Sequence, residues 1–149
     1  MRVKYEGEYL DGKKHGKGKE YYDKGNIKYE GEYLNGMRNG KGKKYFNNGN
    51  LKYEGEYLNE KKSGKGNEYD ENGKLIFKGS YLNGKKHGFG KEYFDNGYLK
   101  YEGEYLNGLR NGIGKLYYYS NGKLFIEGFF KNGTRNGICK EYSSDGKLI

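Results

Sequence analysis

The chain repeats itself every 24 residues, and that period restricts it to an array of like units stacked in sequence order. From Tyr5 it reads YEGEYLDGKKHGKGKEYYDKGNIK, and from Tyr29 it reads YEGEYLNGMRNGKGKKYFNNGNLK. Further copies start at Tyr53, Phe77, Tyr101 and Ile126, the fifth with one extra residue in YYYSNGKLF. Six copies and four leading residues account for the sequence, so 1–149 reads as a single repeat domain without a linker.

Each repeat reads as two short strands. Lys4 to Leu10 alternates around Tyr5 and Tyr9, Asp11-Gly12 marks a turn, and Gly16 to Tyr22 makes the return strand. A second turn follows at Asp23-Lys24-Gly25-Asn26, with its glycine recurring at 49, 73, 97, 122 and 146. Glycines every few residues disfavour helix. The predicted fold is all-β, an elongated single-sheet β-meander solenoid of six hairpin repeats. Pairing Tyr5 with Tyr21, and Tyr21 with Ile27, puts Tyr5, Gly7, Tyr9, Lys17, Lys19 and Tyr21 on one face. Glu6, Glu8, Leu10, Gly16, Gly18 and Glu20 then share the other.

Composition bears on how such an array holds together. Leu, Ile, Val and Phe total only 26 residues, 33% of the chain is charged, and the net charge is +9. Those values usually mark disorder, but 19 Tyr and 28 Gly in regular order point to ring ladders laid on glycine. An aliphatic globule, a transmembrane helix protein and a disulfide scaffold are excluded, since Cys139 is the sole cysteine. The absence of a signal-peptide core favours a cytoplasmic setting, with a trimmed exported or membrane-associated form as the alternative.

The run YEGEYLNG followed by residues like KRNGKG resembles the MORN repeat (membrane occupation and recognition nexus). It is most similar to the bacterial MORN variant of YwqK-type antitoxin family proteins, whose turn reads close to NGKLK. Tyr9 and its equivalents stand where MORN repeats commonly have Trp, and each repeat is one residue longer. The resemblance implies a non-enzymatic repeat scaffold for protein–protein interaction, with an antitoxin or immunity-like role.

Catalytic motifs are missing. The Gly12 to Gly18-Lys19 stretch is one residue too long for a phosphate loop, and Glu20 replaces the Ser or Thr. His15 and His87 read as solvated turn residues, Cys139 occupies a glycine position, and the rows of Glu6 and Glu8 suit ion pairs with lysines. No enzyme, cofactor or metal is expected.

Two binding surfaces compete. A protein partner would use the aromatic ladder Tyr9, Tyr33, Tyr57, Tyr81 and Tyr105, continued by Phe125, Phe129 and Phe130. Apolar residues concentrate in the last repeats, where Phe89, Ile113 and Ile138 replace Lys17, Lys41 and Lys65, so these repeats are expected to form a partner or self-association surface. The alternative is an anionic phospholipid headgroup or other polyanion along a loop edge of Lys14, Arg38, Lys62, Lys86, Arg110 and Arg135. Specific nucleic-acid recognition is not expected, and a fragment of a longer array is a third reading. The first sheet edge, with Arg2, Lys4, Glu6 and Glu8, carries charge that discourages stacking.

Overall fold

A two-residue turn closes the hairpins. Asp11 and Gly12 have φ of 49° and 75°, and Asn35 and Gly36 have 51° and 85°. Positive φ at both central positions defines the type I′ turn, whose twist matches that of the flanking strands and which Asp-Gly and Asn-Gly pairs tolerate best. In the computed structural model, which describes residues 3–149, twelve antiparallel strands result: β1 (Tyr5–Leu10), β2 (Lys13–Tyr21), β3 (Ile27–Leu34), β4 (Met37–Tyr45), β5 (Leu51–Leu58), β6 (Lys61–Tyr69), β7 (Leu75–Leu82), β8 (Lys85–Tyr93), β9 (Leu99–Leu106), β10 (Leu109–Tyr117), β11 (Leu124–Lys131) and β12 (Thr134–Glu141). There is no helix among the described residues. Arg2, one of the charges expected at the first edge, lies outside them. Two compact halves divide the chain, Met1–Lys74 with β1 to β6 and Leu75–Ile149 with β7 to β12. Within each half the strands follow one another in chain order, so the fold is the all-β meander that the repeat predicts.

The register differs from the expected one. Strand β2 begins at Lys13 rather than Gly16, and Tyr5 lies opposite Glu20 rather than Tyr21, although Tyr21 does pair with Ile27. The reason is a bulge: Gly7 faces Gly18, but the next residue, Glu8, faces His15. A one-residue slip moves every side chain to the opposite face. Gly16 sits in the bulge beside the Glu8 carboxylate, and Glu20 and Gly18 therefore join Tyr5 and Tyr9 on an inner face. Tyr21, with Lys17 and Lys19, joins Glu6 and Glu8 on an outer one. The Tyr21 hydroxyl donates to Glu6 at 2.9 Å, while Tyr33 reaches Glu20 from the inner side.

The inner face is the core, and it is built of rings. Tyr29 and Tyr53 are fully buried, as are Phe77, Tyr101 and Ile126 in the second half. Tyr29 lies flat across Gly31 and Gly42, which face each other on β3 and β4; a Cβ on Gly42 would stand 2.2 Å from the Tyr29 hydroxyl. Its edges meet Tyr33 at 5.5 Å and Tyr57 at 5.4 Å between centroids, nearly perpendicular in both cases. The second half repeats the weave, Phe77 touching Tyr81 and Tyr105, and Tyr101 touching Tyr105 and Phe130. Edge-to-face pairs of this kind contribute about 0.5–1.5 kcal/mol each beyond area burial, which is how a chain poor in aliphatics retains a core. The last repeat departs consistently: Ile126 replaces the flat ring, and Cys139 replaces one glycine of the pair opposite Gly128. Without a ring overhead, the thiol has room.

Candidate interaction surfaces

The basic residues expected along a loop edge instead cover the inner rings. Lys14 Nζ lies 4.4 Å from the centre of Tyr5, Arg38 Cζ 4.4 Å from Tyr29, and Lys62 Nζ 4.4 Å from Tyr53. In the second half Lys86 lies 4.0 Å from Phe77 and Arg110 4.5 Å from Tyr101. Arg135 has Ile126 in place of a ring and pairs with Glu141 at 3.2 Å. Carboxylates hold the charged ends. Glu20 accepts from Lys14 at 3.0 Å, Arg38 at 2.8 Å and the Tyr33 hydroxyl at 2.9 Å. Glu92 accepts from Arg110 at 2.6 Å and from the Tyr105 hydroxyl. Burial raises the pKa of Glu20, but the Lys14 and Arg38 hydrogen bonds, the Arg38 charge and Tyr33 outweigh it and hold the group at about 2.

In the fifth repeat the slot changes on both strands at once. Where Leu116 takes the place of the carboxylate, the residue that would have presented a hydroxyl is Phe130. Acid and hydroxyl are lost together, so neither is left buried without a partner. This slot of acid, hydroxyl and two cations went unread in the sequence because the faces were assigned one residue out of step. The signal was the column Glu20, Lys44, Glu68, Glu92, Leu116 and Glu141, the one inner-face position that alternates between acid, base and aliphatic.

The proposed aromatic ladder is interior rather than free surface: Tyr33, Tyr57, Tyr81, Tyr105 and Phe130 are buried, and only Tyr9, with no earlier repeat to cover it, is 61% exposed. Tyr21, expected on the same face as Tyr9, lies instead on the opposite, outer face, where Tyr21 and its equivalents Tyr69 and Tyr142 donate to Glu6, Glu54 and Glu127 at 2.7–2.9 Å. The second glutamate of the repeat caps the bulge. Glu8, Glu32 and Glu104 accept from the backbone N–H of Lys17, Lys41 and Ile113 at 3.3, 3.2 and 2.9 Å. The glutamate rows expected to pair with lysines are thus largely taken by tyrosine hydroxyls and main chain, with Lys91–Glu102 and Lys140–Glu127 as ion pairs at 3.4 Å.

Of the three rings expected to project from the last repeats, one does. Phe130 is buried, Phe125 is half-buried against Tyr118 at 4.7 Å, and Phe129 is 42% exposed. Phe129 sits directly opposite Ile113, which is 70% exposed; Ile138 on β12 is 91% exposed and Phe89 on β8 is 55% exposed. In the first half the equivalent outer row is Lys17 opposite Glu32 and Lys41 opposite Glu56. In the second half the equivalent positions are Phe89 opposite Glu104 and Ile113 opposite Phe129, so apolar side chains replace the lysines and one of the glutamates.

His15 and His87 lie within β2 and β8 and are half-buried rather than solvated in turns, each with an enclosed Nδ1 that has no hydrogen-bond partner among the described residues. No three His, Cys, Asp or Glu side chains among the described residues are grouped to hold a metal ion. The Cys139 thiol lies 3.7 Å from the Phe129 carbonyl oxygen.

Comparison with protein families matches the MORN repeat over residues 5–27, 29–51, 77–97, 101–123 and 127–147, and a MORN repeat variant over residues 62–83. No curated protein matches the chain. Repeats of this kind are generally associated with protein or membrane-lipid interaction and are generally non-catalytic scaffolds.

Proposed function

Because this chain belongs to the MORN repeat family, we propose that it is a non-enzymatic binding module whose protein partner docks on the outer row of Phe89, Ile113, Phe129 and Ile138. The observation that carries this reading is that the Lys and Glu positions of the first half are filled in the second by four exposed apolar side chains, with Glu104 as the acid that remains. Nothing in the hairpin geometry requires the change, since Lys41 and Ile113 make the same backbone hydrogen bond to a glutamate. Covering each large side chain contributes about 1.5–3 kcal/mol, enough in sum for a specific contact. The finer reading is an antitoxin-like module that occupies a toxin's surface, supported by the likeness of the turns to YwqK-type repeats. Anionic headgroups have less support, because Lys14, Arg38, Lys62 and Arg110 are already held by rings and carboxylates.

The test is the double variant Ile113→Ser/Phe129→Ser, both positions being surface. Cross-linking capture from the source cells and light scattering are compared with the parent chain. Capture of a specific partner, or self-association, is expected for the parent and is lost in the variant while its circular dichroism is unchanged. Identical capture and oligomeric state in both proteins would overturn the reading.

A further inference from the structure

The fourth repeat is the one that lacks both outer-face acids. Where the first repeat reads YEGEYL the fourth reads FKGSYL, so Lys78 and Ser80 stand in the places of Glu6 and Glu8. In the sibling repeats each acid is addressed by a fixed donor. The first accepts a hydroxyl from the return strand: Tyr21 on Glu6, Tyr69 on Glu54, Tyr117 on Glu102 and Tyr142 on Glu127, at 2.6–2.9 Å. The second accepts the backbone N–H that follows the bulge glycine, as Glu8, Glu32 and Glu104 do.

In the fourth repeat the acceptors are gone and the donors remain. Tyr93, the equivalent of Tyr21, has no hydrogen-bond partner for its hydroxyl among the described residues, and that hydroxyl is not enclosed. No carboxylate reaches the Phe89 N–H either. A Cβ on Gly88 would meet only the Ser80 Cβ, at 3.7 Å, and Gly88 is exposed, whereas a glutamate carboxylate covers Gly16, Gly40 and Gly112. The place of the second acid is thus open space. Lys78 is exposed and lies directly opposite Lys91, where sibling strands set Glu6 against Lys19, Glu30 against Lys43 and Glu102 against Lys115. Like charges facing each other across strands are destabilising. Glu102 offsets one of the two, reaching Lys91 at 3.4 Å, while Lys78 has no ion pair among the described residues. The nearby Glu104 is held by the Ile113 N–H.

We infer that Lys78, Ser80, Tyr93 and the Phe89 N–H form a site for two carboxylates on an acidic segment of the protein partner, seated where the sibling repeats carry their own glutamates. Lys78 and the Tyr93 hydroxyl take the first, and the Ser80 hydroxyl and the Phe89 N–H take the second. Carboxylates are the matching groups because the equivalent hydroxyls and N–H groups hold them in the other repeats. The two sibling glutamates are two residues apart on one face of a strand, about 7 Å along an extended chain, so the matching motif is two acids separated by one residue. Phe89, 55% exposed, borders the site. The inference therefore rests on the docking reading above and adds the charge that the partner carries beside its apolar contact.

Isothermal titration at fixed ionic strength tests it, with acetyl-Gly-Glu-Gly-Glu-Gly-amide as probe and with its Gln counterpart and inorganic phosphate as controls. Neither peptide has a large apolar side chain, so the result is independent of the apolar row. The parent chain should bind the Glu peptide saturably, and at least tenfold more tightly than either control. Lys78→Glu/Ser80→Glu restores the sibling sequence, so it should raise the Tm and abolish peptide binding. Tyr93→Phe should keep the fold and weaken binding about tenfold, the value of one hydrogen bond to a charged group. Ile113→Ser/Phe129→Ser should bind the peptide as the parent does. Row-dependent partner capture without peptide binding would sink this inference and leave the docking reading standing, and peptide binding without such capture would do the reverse. An equal response to the Gln peptide or phosphate, undiminished binding in Lys78→Glu/Ser80→Glu, or Lys78-dependent binding of phosphatidylserine vesicles in place of the peptide would also overturn it.

Discussion

At Gly42 a methyl group would stand 2.2 Å from the Tyr29 hydroxyl, and the ring above it is hemmed in by Tyr33 and Tyr57. The ring has nowhere to retreat, so Gly42→Ala is expected to destabilise the fold by about 1–3 kcal/mol, read as a lower urea midpoint. Cys139→Gly, at the equivalent position in the last repeat, should leave the midpoint nearly unchanged, because Ile126 puts no ring there. The ring-over-glycine contact was legible in the sequence: Tyr29 recurs two residues before Gly31 in a strand, and only a side chain lying flat fits over a residue without a Cβ. Which glycine on the neighbouring strand completes the pair was not legible, since that depends on cross-strand register.

Register is decided at the level of the hairpin, by two devices of unequal visibility. The type I′ turn announces itself as Asp-Gly or Asn-Gly, and the spacing between turns is regular. The bulge does not announce itself. Residues 13–16 are polar and glycine-rich, as a long loop would be, yet they are strand, and the Glu8 carboxylate that caps the bulge looks like any surface acid. Mistaking this stretch for loop moved Glu20 and its neighbours to the wrong face, and with them the whole inner slot. The turn also shows what a departure requires. Asn59-Glu60 puts a non-glycine at φ 70°, and the Glu60 carboxylate takes the Arg38 N–H at 2.6 Å. Gly108, at φ 91° with open space around it, has no such compensation. Gly108→Ala is therefore expected to cost about 1–2 kcal/mol from backbone conformation alone, seen as a fall in Tm with an unaltered circular dichroism spectrum at low temperature.

For the molecule as a whole, the inner-face carboxylates and buried tyrosines set limits at the two ends of the pH scale. Glu20 is held at about 2, and Glu92 is also lowered, its burial outweighed by Arg110 and Tyr105. Carboxylates in the unfolded chain titrate near 4.3. Their contribution is present above that value and is lost as pH falls towards 2. At the other end, burial pushes Tyr57 and Tyr101 up to about 12, against roughly 10 for an unfolded tyrosine. That contribution is intact below pH 10 and disappears as pH rises through the folded value. Urea midpoints should therefore form a plateau from about pH 5 to 10 and fall on either side, and Glu20→Gln should flatten the acid limb. The buried tyrosines should ionise only as the fold is lost, followed by tyrosinate absorbance. The slots carry one more consequence, for the gene. Each is shared across a repeat boundary, with acid on one side and hydroxyl and cation on the other, so a repeat copied or excised by unequal crossing-over takes half a contact with it. Excising the fifth repeat, for instance, would seat Phe130 against Glu92 and leave an acid without its hydroxyl. The copies look interchangeable, but the positions between them are not, so excision or duplication of a single repeat is expected to break a contact at its boundary.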